Sequence, residues 1–158
     1  MTSRNAAALL FAATLAGAAF ADDGPDRAKL AGTWQVEKSA ADDGGSTWTF
    51  QEKSDAIHVT TAQGATKLAD FECNTEGRDC TVADSGKKVK VSLWFAGTKL
   101  VELETRGSDV VKRRFEVSGV GDTMEMEVIP VVPQGKTEQV TLKRVLASAA
   151  SASAAAKP

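Results

Sequence analysis

Two arginines stand in phase with apolar neighbours, and any chemistry in this chain would begin with them. In Val111-Lys112-Arg113-Arg114-Phe115-Glu116-Val117, Arg113 alternates with Val111, Phe115 and Val117. In Val140-Thr141-Leu142-Lys143-Arg144, Arg144 shares its phase with Val140 and Leu142. A guanidinium on an apolar face is costly unless it is paired or hydrogen-bonded. It is also the side chain best shaped for a two-point grip on a carboxylate or phosphate. Arg113 therefore has competing readings. It receives the acidic head of a ligand lying on Val91, Leu93, Phe95, Phe115, Met124 and Met126, or it belongs to an internal ion pair. A shifted strand register would instead turn it outward.

The remaining reactive side chains point away from catalysis. His58 is the only histidine, and it sits out of phase with Ile57 and Val59, so it should face outward. No Ser/His/Asp set can form around it. Metal-ligand spacing and phosphate-binding glycine motifs are absent from the sequence. Glu102 with Glu104, and Glu125 with Glu127, share phases opposite Val101, Leu103, Met124, Met126 and Val128. These pairs read as a solvated outer wall. Neither an enzyme, a cofactor nor a metal is expected.

Cys73 and Cys80 are the only cysteines. A lone pair in an oxidising compartment predicts a disulfide. The segment between them reads as a hairpin with Gly77 in its turn, and both cysteines are in phase with Phe71 and Val82. A loop that small is worth ~2–3 kcal/mol if unstrained.

Short strands must position these groups. Period-2 alternation between turn signals marks runs at 33–38, 47–53, 56–63, 66–73, 79–83, 87–95, 99–106, 110–118, 123–129 and 138–144. Turn chemistry punctuates them, as at Gln63-Gly64, Ala96-Gly97, Arg106-Gly107-Ser108-Asp109 and Pro133-Gln134-Gly135. No convincing helical period appears; a single helical turn around 26–29 is the one candidate. A long antiparallel meander has edges and an exposed face unless it closes. The expected fold is therefore all-β: a single antiparallel up-and-down β-barrel of about 8–10 strands, large enough to leave a cavity.

The ends frame one domain at 22–146. Residues 1–21 carry Arg4, an uncharged Ala/Leu-rich run and Ala19-Phe20-Ala21, the pattern of a secretory signal peptide. The run falls short of the ~20 residues a membrane span needs. Residues 147–158 are almost entirely Ala and Ser, an expected disordered tail. Without residues 1–21 the chain has 18 basic and 21 acidic residues, a net charge of −3. The charges are interspersed, which argues against nucleic-acid or anionic-membrane binding.

Gly32-Thr33-Trp34 on the first strand, the meander, and Arg144 on the last strand together resemble the lipocalin superfamily, which includes the fatty-acid-binding proteins. The resemblance implies that Trp34 packs against Arg144 at the closed end of the barrel, beside Gly32. It also implies a ligand cavity. The chain has no Tyr, so it lacks the T-D-Y motif of typical lipocalins. Only residues 39–46 separate the first two strands, too few for the helix-turn-helix lid of fatty-acid-binding proteins. The expectation is an exported, periplasmic or secreted, monomeric lipocalin-like barrel that holds a small apolar or amphipathic ligand, including one bearing a carboxylate. The competing expectation is a filled barrel acting as an interaction or inhibitor module for an envelope protein, with Trp94 exposed as a contact.

Overall fold

The computed structural model describes residues 27–37, 45–84 and 87–146. The expected signal segment, the tail and most of the first inter-strand connection lie outside the described residues. One helical turn, α1 (Arg27–Leu30), precedes ten strands. These are β1 (Gly32–Val36), β2 (Ser46–Lys53), β3 (Ala56–Gln63), β4 (Thr66–Asn74), β5 (Glu76–Asp84), β6 (Lys87–Ala96), β7 (Lys99–Arg106), β8 (Asp109–Val117), β9 (Thr123–Val132) and β10 (Glu138–Arg144). Among the described residues no helix is long and apolar enough to cross a membrane.

The strands form one antiparallel sheet in the order β4-β3-β2-β1-β10-β9-β8-β7-β6-β5. The last strand returns to the first, with Trp34 opposite Arg144. Sequence neighbours β4 and β5 are the two edges of this sheet. The result is a nearly closed up-and-down barrel with one seam unzipped.

A disulfide spans that seam. Cys73 on β4 bonds Cys80 on β5, with their Cα atoms 5.9 Å apart. The bridge agrees with the expectation, but β4 and β5 do not pair as the expected hairpin. Gly77 is not in a turn; it lies inside β5 at φ 77°, where the register against β6 shifts between Glu76 and Asp79. A glycine in the left-handed region is the usual device for a bulge, which bends the strand away from regular pairing.

The narrow end is locked by Trp34 and Arg144. Trp34 is fully buried, and its indole N–H donates to Leu30 O at 2.9 Å. The Arg144 guanidinium lies 4.1 Å from the centre of the Trp34 ring, a favourable cation–π stack. It donates to Gly121 O (2.6 Å), Ala31 O (2.8 Å) and Lys29 O (2.6 Å). With the Trp34 indole it thus serves the carbonyls of Lys29, Leu30 and Ala31, at and just past the C-terminal end of α1, where intrahelical partners run out. Gly32 is at φ 132°, and a Cβ there would come within 2.7 Å of Arg144 Nη1. The first residue of the G-x-W pattern is thus glycine because the arginine occupies the space of its side chain.

Toward this end the interior is packed with apolar side chains. Phe50, Ile57, Val59, Leu93, Leu100, Phe115, Met124 and Leu142 are all at most 2% exposed. Trp48, Phe50 and Phe115 form an aromatic trio with ring centres 5.2–6.1 Å apart.

Two stability predictions follow from this architecture. Gly32→Ala should cost roughly 1–3 kcal/mol from backbone strain alone, and Trp34→Ala roughly 3–5 kcal/mol as a buried aromatic. Urea unfolding reads both, and an unchanged midpoint for either contradicts the lock. Cys73→Ser should lower stability by about 2–3 kcal/mol and speed amide exchange in β4 and β5 while leaving β8 to β10 unchanged. Uniform acceleration would show that the bridge does not act at the seam.

Candidate functional site

The ladder register fixes which side chains line the upper interior. Glu102 on β7 is opposite Leu93 on β6 and Arg113 on β8, and Arg113 is opposite Val128 on β9. One rung toward the narrow end, Leu100 is opposite Phe115, which is opposite Met126. The charged rung therefore sits directly on the filled apolar one.

This register corrects the sequence expectation for β7. Glu102 and Glu104 face inward, not outward; Glu102 is 2% exposed, and both line the cavity. Val101 and Leu103 face outward instead, opposite Arg114 and Lys112 on β8. The physical reason is that β7 carries apolar residues on both faces. Alternation counted from Val101 puts the glutamates outside, whereas counting from the buried Leu100 puts them inside. On the outer face Val101 is still only 2% exposed, flanked across the ladders by Trp94 and Arg114. Trp94 is half-buried there rather than exposed.

Above the aromatic trio lies a cavity of about 700 Å³. Its apolar wall includes Trp48, Phe71, Met126, Val128 and Val140. Arg113 stands in it and faces inward, as its phase predicts. Its Nη1 donates to Glu102 Oε1 at 2.5 Å and to Glu104 Oε2 at 2.9 Å. Its guanidinium also lies 5.7 Å from the centre of the Trp48 ring. Arg106, nearer the rim, donates to Glu104 at 3.2 Å. The internal ion pair foreseen as one reading of Arg113 is therefore present.

Burial pushes the Glu102 carboxyl above the usual carboxylate range, against the opposing pull of Arg113. Burial alone would lower the Arg113 pKa, but the two carboxylates outweigh it and hold the guanidinium firmly protonated. Glu102 Oε2 is buried without a hydrogen-bond partner among the described residues.

The other expected ligand contacts divide by height in the barrel. Of Val91, Leu93, Phe95, Phe115, Met124, Met126 and Arg113, only Met126 and Arg113 line the large cavity. Val91, Leu93, Phe115 and Met124 belong to the packed core. Phe95 and Phe115 border a separate small cavity of about 210 Å³ at the narrow end, and Arg27 stacks 5.1 Å over Phe95. Connectors in a meander alternate between the two ends. Residues beside the β6–β7 and β8–β9 connectors therefore lie at the narrow end, a signal that would have separated them. Trp48, Phe71, Val128, Val140, Glu102 and Glu104 were missed as lining residues.

His58 lies outside, with Nε2 hydrogen-bonded to Asp70. Lys67 and His58 together hold the Asp70 carboxyl down at about 2. Among the described residues no three His, Cys, Asp or Glu side chains converge as metal ligands.

Comparison with protein-family models and with curated proteins finds no match. Solved structures do match in shape. A secretory abundant heat soluble protein from Ramazzottius varieornatus aligns with a TM-score of 0.63 at 13% identity, over 74% of this chain and 96% of that one. Fatty-acid-binding protein 1 of Echinococcus granulosus aligns at 0.61 with 10% identity, over 75% and 99%. A Schistosoma mansoni fatty-acid-binding protein in complex with arachidonic acid aligns at 0.57 with 19% identity, over 76% and 98%. With this likeness and its ten-stranded, nearly closed antiparallel sheet, the chain has the fold of the lipocalin-like, or calycin, barrels.

Proposed function

We propose that this protein reversibly binds a small apolar or amphipathic molecule inside the barrel, and that it is a carrier or store rather than an enzyme. The observation that carries the reading is the cavity itself. Its volume of about 700 Å³ lies within the range of small-molecule sites. Its wall combines large apolar surfaces with one charged cluster, which suits a ligand with a tail and a single polar feature. Met126 adds an adaptable surface, since its thioether chain fits many shapes. The fatty-acid-binding barrels among the structural neighbours lend the reading further support.

We also read the protein as exported. The support is the signal-peptide pattern of residues 1–21 together with the Cys73–Cys80 bridge, a bond that persists in oxidising compartments.

N-phenyl-1-naphthylamine, a neutral apolar probe, tests the binding reading. Its fluorescence should rise and saturate at one probe per chain, and Val128→Trp, which fills the cavity, should weaken uptake by about tenfold or more. Absence of saturable uptake contradicts the proposal.

The charge state of the cluster has its own consequence. The Glu102 carboxyl is raised in the folded protein above its ordinary 4.5, so the folded chain keeps a proton that the unfolded chain has lost. Stability from this group is full below that value and falls as pH rises through the folded pKa. Glu102→Gln keeps the shape of the neutral carboxyl. The stability of this variant relative to the native protein should therefore increase as pH rises above 4.5 in urea titrations. A pH-independent difference would show that the carboxyl is not raised.

A further inference from the structure

Glu102, one of the residues that line the cavity, holds the one unmet buried side-chain hydrogen bond among the described residues. Glu102 has a side chain only 3% exposed, and its Oε1 is taken by Arg113. Its Oε2 has no partner among the described residues. Native interiors rarely leave a buried polar atom so, because the loss costs about 1–3 kcal/mol. A ligand group that reaches Oε2 recovers it.

The surrounding charges restrict what that group can be. Arg113 Nη1 already serves Glu102 and Glu104, so an incoming carboxylate must compete with both of them for the guanidinium. An ammonium would stand beside Arg113 and, nearer the rim, Arg106. A hydroxyl carries no charge, and it both donates and accepts. It can therefore satisfy Oε2 whether or not Glu102 holds its proton, and burial favours the protonated form.

We propose that the cavity selects an uncharged amphiphile whose hydroxyl head hydrogen-bonds Glu102 Oε2, and that it discriminates against the carboxylate of equal chain length. This specificity rests on the cavity-binding reading above. It gives Glu102 and Glu104 the role of blocking the acid grip that Arg113 alone would offer.

Displacement of N-phenyl-1-naphthylamine by dodecan-1-ol and by dodecanoate at neutral pH tests it. The alcohol should bind about tenfold or more tightly than the acid, the value of one recovered buried hydrogen bond. Glu102→Gln removes the acid that holds Arg113, so it should improve dodecanoate binding about tenfold and narrow the alcohol-to-acid ratio accordingly. Equal or tighter binding of dodecanoate to the native protein overturns the proposal. So does an alcohol-to-acid ratio that Glu102→Gln leaves unchanged. If the probe itself is not taken up, the cavity-binding reading fails and this specificity falls with it. Probe uptake with the acid preferred sinks the specificity alone.

Discussion

The guanidinium of Arg144 lies over the indole of Trp34 and reaches the backbone carbonyls of Lys29, Ala31 and Gly121. That one side chain joins the last strand to the first, seats the helical turn against the narrow end and holds the Gly121 connection. An up-and-down sheet has no local reason to close, because its first and last strands are separated by the whole chain. The loop-closure entropy must be recovered by interactions made only when the ends meet. Arg144 supplies charged hydrogen bonds and a ring stack at that meeting, and Gly32 leaves the room for it. The opposite seam, between β4 and β5, has no ladder and relies on a covalent bond.

A barrel held in this way can be filled at one end and hollow at the other. The filled half contains the aromatic rings, the buried leucines and Met124. The hollow half starts at the rung where Glu102 and Arg113 face each other. An ionic rung does not pack as methylene groups do, and each of its members needs directed partners. Placing it above the aromatic floor fixes the depth to which an apolar tail can sink and the height at which a polar head must stop. The same rung that interrupts the core thus organises the site.

Much of the fold was legible because its signals are local. Turn residues and alternation marked all ten strands, with differences only at their ends. Gly32, Trp34 and Arg144 marked the closed end, since their pairing depends on where each lies in its strand. The β5 bulge was not legible, because a Gly77 in a turn and a Gly77 in a bulge look alike in sequence. The inward face of β7 was misread for a related reason. Leu100, Val101, Glu102, Leu103 and Glu104 admit both phases, and only the ladder to Leu93 and Arg113 decides between them. The binding site was legible in composition but not in height. Periodicity tells inside from outside; it does not tell the floor of a barrel from its mouth.

Native mass spectrometry of the protein purified from cells that make it tests the central claim, that the barrel holds a removable amphiphile, most directly. The account predicts a discrete extra mass that is lost on denaturation, or one that appears after incubation with a neutral lipid extract. A protein that stays at its polypeptide mass in both preparations would contradict it.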